Sequence, residues 1–156
     1  RVQMQKACPF ELSTFEGYCL LTSSFFSAYM TNTEHRLLQA ERDKTEDNTI
    51  ILHDFFYKNY DLKIKYDPSD PLKPFVEFDD QIIGSTAEAF GTIYGNGKLM
   101  CTQPVAYDSY YNVCQKFVFL YSTIYVVGKG TVGTYVNILE WISDEEAEQY
   151  KKEEGL

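Results

Sequence analysis

Two titratable side chains sit where the surrounding residues would let them do acid-base work, His53 and Glu88. His53 falls within residues 49–57, TIILHDFFY, an apolar run of strand length. If it points inward between Ile51 and Phe55, its imidazole is a general acid or base near neutral pH. Asp54 cannot serve as its relay, because successive strand residues point to opposite faces. Glu88 lies in residues 86–94, TAEAFGTIY, read as a strand with Thr86, Glu88 and Phe90 on one face and small residues on the other. Inside a barrel, desolvation would raise its pKa toward a useful range. A hydrogen-bonded histidine and an outward carboxylate are the plainer alternatives, and alternation does not choose between them. His35, in a polar segment, reads as a solvated surface residue.

Other chemistries find no constellation. There is no Gly-x-Ser-x-Gly elbow and no phosphate-cradling loop before a helix. The acidic residues Asp67, Asp70, Glu77, Asp79 and Asp80 are hard oxygen ligands of the kind calcium takes. They lack EF-hand spacing and read more simply as a solvated edge. No cofactor and no metal is expected.

The four cysteines, Cys8, Cys19, Cys101 and Cys114, form no Cys-x-x-Cys and lack a neighbouring histidine, which argues against zinc. They fall into two local pairs, and Cys8–Cys19 with Cys101–Cys114 is the expected disulfide pattern among the three connectivities that four cysteines allow. With a first residue that is Arg rather than Met, this reads as a secreted product after signal-peptide removal.

The chain of 156 residues is expected to form a single β-barrel domain, with 1–17 as an N-terminal arm and 143–156 as an acidic tail. Its longest β pattern is residues 116–141, two strands folded about Gly128-Lys129-Gly130. Residues 61–66 alternate cleanly, with Leu62, Ile64 and Tyr66 on one face. Residues 18–30 read as a buried strand, 31–48 as a short helix or a mobile hairpin tip, and 75–83 as one strand closed by Gly84. Pro68, Pro71 and Pro74 mark a loop or an edge, since proline cannot donate to a ladder. Ser143 and Glu146 form a capping-box signature ahead of a short helix. Strands at this spacing, with Gly, Pro and Asn between them, indicate an all-β, antiparallel closed barrel of about eight strands with a short C-terminal helix.

A net charge of −9 with no Lys/Arg cluster disfavours nucleic-acid binding. No apolar run is long enough for a spanning helix, so membrane insertion is not expected. The 16% aromatic content, thirteen Tyr and eleven Phe, is high and suits pleated surfaces and cavity linings. Such rings either fill a small barrel or line a mouth that holds one apolar ligand. Tyr94, Phe119, Tyr121 and Tyr135 are the candidate lining.

Residues 84–94, GSTAEAFGTIY, followed by a strand pair and then 124–138, IYVVGKGTVGTYVNI, resemble the allene oxide cyclase and dirigent superfamily. The late glycine turn departs from that pattern at Lys129, and the cysteines lie outside it. The resemblance implies a barrel whose apolar cavity steers cyclisation or coupling of a reactive small molecule, by holding a near-attack conformer. A lipocalin-like carrier is the neighbouring reading, although a Gly-x-Trp is lacking near the N-terminus. The expected function is therefore a secreted, disulfide-bonded barrel binding a small hydrophobic molecule, acting on it as a cyclase or isomerase if it is an enzyme. The alternative is a secreted interaction protein with a solid core and an extracellular protein partner.

Overall fold

Strict alternation builds the barrel walls. In β4 (Leu62–Asp67) the residues Leu62, Ile64 and Tyr66 are fully buried while Lys63, Lys65 and Asp67 face solvent. β9 (Phe117–Val126) alternates over its whole length, with Val118, Leu120, Ser122, Ile124 and Val126 inward. The structure is a computed structural model that describes residues 8–30 and 33–153.

The remaining strands are β1 (Gly17–Ser23), β2 (Arg36–Arg42), β3 (Thr49–Leu52), β5 (Phe75–Glu77), β6 (Gln81–Ser85), β7 (Lys98–Thr102), β8 (Ser109–Asn112) and β10 (Gly130–Ile142). All pairings are antiparallel. The ring runs β10-β1-β2-β3-β4-β5-β8-β9 and closes through the β9–β10 pairing, which makes eight strands. β6 and β7 form a pair inserted in the chain between β5 and β8, and β9 spans both pairs: Phe117 and Phe119 pair with β8, Thr123 and Tyr125 with β7. Closure pairs both edges of the ring strands, except along the first part of β4, where β5 does not reach. The expected eight-stranded antiparallel barrel is what forms, with α3 (Asp144–Glu153) after it. Ser143 caps α3 as anticipated: its Oγ accepts from the Glu146 N–H at 3.1 Å and donates to Oε1 of the same residue.

Several local expectations give way. Residues 18–30 are not one strand: Ser23 ends β1 and caps α1 (Ser24–Tyr29), its Oγ accepting from Phe25 N–H at 3.1 Å. Residues 36–42 are neither helix nor hairpin tip but β2, because Leu38 and Ala40 alternate inward. Residues 31 and 32 lie outside the described part. The expected strand 49–57 stops at Leu52, where a turn delivers Phe55 and Phe56 to the core. Residues 75–83 break into β5 and β6. The arm begins outside the described residues, but from Leu12 to Phe15 it forms a 3-10 turn whose two end residues enter the barrel floor.

The division of labour inside the barrel is specific. The strands supply mostly aliphatic walls, and the connections supply the rings that fill the lumen. Phe15 stacks on Tyr66 at 4.5 Å and meets Trp141 edge-on at 5.1 Å at one end. Phe25 from α1 stacks on Phe56 at 4.5 Å at the other. Phe15, Phe25, Phe55 and Phe56 are 0% exposed. Burying each phenyl ring contributes about 2–3 kcal/mol.

Candidate functional site

His53 lies in the turn after β3 rather than within a strand, so the inward-facing arrangement does not arise. Its Nε2 is 2.9 Å from Oε1 of Glu41 and its Nδ1 is 3.2 Å from Oδ2 of Asp61. The other Asp61 oxygen accepts from the Asp54 N–H at 3.0 Å. One carboxylate thus clamps the turn, and the imidazole bridges β2 to the start of β4. Burial acts to lower the His53 pKa, but the bonds to Glu41 and Asp61 outweigh it and the net direction is upward. With both ring nitrogens held by carboxylates, the imidazolium satisfies both partners and neither nitrogen is free for a substrate proton.

Glu88 is corrected more sharply. Residues 86–90 form the helix α2 (Thr86–Phe90), with Ser85 as N-cap. The Ser85 hydroxyl accepts from the Glu88 N–H at 3.1 Å and donates to Glu88 Oε1 at 2.9 Å. Ala87 and Ala89 favour helix, and a capping residue ahead of them overrides the strand reading. The carboxylate is exposed on a capping turn, not enclosed in the barrel. Gly84 just before it is needed for close approach: a Cβ there would lie 2.8 Å from Cδ2 of Tyr57. Burial, then the Glu88 charge, pushes the Tyr57 phenol up to about 12.

Of the four expected lining residues, only Tyr135 turns inward. It meets Phe25 edge-on at 5.2 Å, and burial and a hydrogen bond to Tyr29 push its phenol up to about 12. Tyr94 is 45% exposed, with the Lys129 ammonium 5.5 Å from its ring. Phe119 and Tyr121 are on the outer face of β9, since Val118, Leu120 and Ser122 hold the inner positions. The interior between the walls is packed with the chain's own rings, so the expected ligand contacts of Phe119 and Tyr121 cannot be made there.

The cysteine pairing is corrected too. Cys8 bonds to Cys114, while Cys19 and Cys101 are free and buried. Cys19 on β1 and Cys101 on β7 are 0% exposed in the core, and burial pushes both thiols well up. The Asp67–Asp80 carboxylates disperse: Asp67 caps Ser69, Asp70 caps Leu72, and Asp80 accepts from Thr102 and Tyr125. Among the described residues no group of three or more metal-ligating side chains converges.

What the structure does assemble is an apolar outer face. On β9 and β8, Tyr110 stacks on Phe119 at 5.2 Å and Phe117 meets Phe119 at 5.4 Å, and Tyr107 from the connection before β8 stacks on Tyr121 at 5.2 Å. Val136 and Ile138 of β10 stand opposite Tyr121 and Phe119. Phe75 adds 37% of its surface and Tyr107 53%. None of these residues carries a charge, in a chain of net charge −9.

A family model described as a domain of unknown function, DUF4984, matches residues 1–153. The chain belongs to the DUF4984 family. No curated protein and no solved structure matches it. In this DUF4984 domain Phe119 and Tyr121, expected to line a cavity, belong instead to the outer face of the wall.

Proposed function

We propose that this DUF4984 domain is an extracellular binding domain, without catalytic chemistry of its own, that docks a protein partner through the outer aromatic face of β8, β9 and β10. The observation that carries the reading is that β9 is aromatic on its outer face from Phe117 to Tyr121 while its inner face is core. The outer rings Phe117, Phe119 and Tyr121 are partly exposed, packed on Tyr110 and Tyr107. Outer barrel positions are ordinarily polar, and an uncharged aromatic patch is the usual core of a protein interface. The rings lie stacked on one another rather than standing free, which suits a flat protein surface better than a sugar-stacking platform. The filled lumen weighs against a small-molecule carrier, and the occupied nitrogens of His53 weigh against acid-base catalysis at that residue. The Cys8–Cys114 bond favours an oxidising, extracellular setting.

Position-specific photocrosslinking tests this. A benzophenone side chain at Tyr121 or Phe119 should yield one crosslinked protein from the native extracellular milieu, and the same group at Lys44 should not. Phe119→Glu in the Tyr121 reporter should abolish the product. Equal crosslinking from Lys44, or adducts containing no protein, would overturn the proposal.

A further inference from the structure

The ladder of the barrel wall is interrupted between β4 and β6, and a side chain fills the gap. β4 pairs with β5 only through Lys65, Tyr66 and Asp67, and β6 pairs with β7. Lys63, earlier on β4, turns its main chain toward the same side but meets no strand there. Its N–H donates to Oε1 of Gln81 at 2.8 Å, and its carbonyl accepts from Nε2 of the same amide at 2.9 Å. On the other border, the Phe78 N–H donates to Oε1 of Gln103 at 3.0 Å. A primary amide giving one acceptor and one donor to a single residue reproduces the bond pair that a neighbouring strand residue exchanges in an antiparallel ladder. Alongside lies an open cavity of about 410 Å³ lined by these residues together with Glu46, Glu77 and Asp79.

We propose that this gap is a slot for one short extended peptide strand, and that the Gln81 amide is the placeholder the strand displaces. The occupant is a main chain because the groups waiting for it are main-chain groups already satisfied by an amide, the chemistry of strand addition. Its side chains follow from the borders. Toward the barrel they meet Ile64 and Phe78, 0% and 8% exposed, and so are apolar. Toward solvent they meet Glu46, Glu77 and Asp79, and so are basic. Lys63 does not oppose them, since Asp43 holds its ammonium at 2.8 Å, which leaves Lys65 as the one other cation among the slot's lining residues. The partner segment is an extended peptide alternating basic and apolar residues. This site is separate from the aromatic face, and either can stand without the other.

The test is a titration of the intact, oxidised domain with the peptide Ac-Lys-Val-Lys-Val-Lys-NH2, followed by amide NMR. Saturable binding with shifts at Lys63, Phe78 and Gln81 is expected. A version N-methylated at the alternate amides facing β4 should bind at least about tenfold more weakly. Gln81→Met, which keeps the side-chain shape but removes both of the amide's bonds to Lys63, should bind at least about fivefold more tightly. Phe119→Glu should leave the affinity unchanged. No saturable binding to the wild type, equal binding of the N-methylated peptide, or shifts confined to residues away from the slot would each overturn the proposal.

Discussion

The Ser23 hydroxyl donates to Oδ1 of Asn137 at 2.6 Å, joining the cap of α1 to the middle of β10 inside the core. The same oxygen accepts from the Phe25 N–H, and the Asn137 amide donates to the Leu120 carbonyl and to Ser122 Oγ, both at 2.9 Å. All three side chains are buried, and the Asn137 amide has both donors and its acceptor engaged. A fully connected buried network of this kind fixes one arrangement, and it holds the helix that carries Phe25 over the lumen.

Truncating the hub should therefore cost more than truncating a spoke. Asn137→Ala leaves Ser23 and Ser122 without their partner and opens a cavity, for a loss of about 2–4 kcal/mol. Ser23→Ala removes a cap and one bond, for about 1–2 kcal/mol. Urea unfolding of both and of the double variant measures this, with the double expected to fall short of the sum. Simple additivity would mean that the two side chains act independently.

The disulfide joins the segment that leads into the floor of the barrel to the turn between β8 and β9, across a sequence separation of 106. In the chain-entropy model a loop of that length contributes about 4–5 kcal/mol. Cys8→Ser with Cys114→Ser should lower the denaturant midpoint accordingly. Peptide mapping without reductant should recover Cys8 linked to Cys114, with Cys19 and Cys101 alkylated only after unfolding. A Cys8–Cys19 peptide would restore the local pairing.

His53 carries a pH signature whose sign follows from its partners. Its folded pKa is raised above the unfolded value near 6.5. A group raised on folding stabilises fully below the unfolded pKa and loses that contribution as pH rises through the folded pKa. The stability gap between wild type and His53→Gln should thus be largest near pH 5.5 and narrow by pH 8.5. Because the side chain is one-third exposed, the gap is small and best read as a difference in melting temperature. A gap that widens with pH would contradict the geometry around Glu41 and Asp61.

Much of the architecture could be read where one face alone is apolar. Leu62, Ile64 and Tyr66 alternate with Lys63, Lys65 and Asp67, so β4 had one solution, and Ser143 with Glu146 marked the start of α3. Helices α1 and α2 were missed because each is a single capped turn or little more, shorter than the periodicity that betrays a helix. The disulfide was misread because spacing along the chain does not report which residues meet at the end of a barrel. The Gln81 amide left no signal, since its partner is a backbone group that only folding brings near.

β9 is where alternation fails on its own terms, because Phe117, Phe119, Tyr121 and Tyr125 compete with Val118, Leu120, Ile124 and Val126 for the same interior. The larger set is outside, since the lumen is already filled by rings from the 3-10 turn, α1 and the turn after β3. The register makes opposite forecasts for neighbouring positions. Leu120→Ala removes a fully buried side chain and should cost about 2–5 kcal/mol. Phe119→Ser, at a partly buried outer position, should cost less, about 1–2 kcal/mol, the loss of its partial burial and its stacking on Tyr110. Equilibrium unfolding of the two variants decides the matter. A larger loss for Phe119→Ser than for Leu120→Ala would turn β9 over, return Phe119 and Tyr121 to the lumen and remove the aromatic docking face.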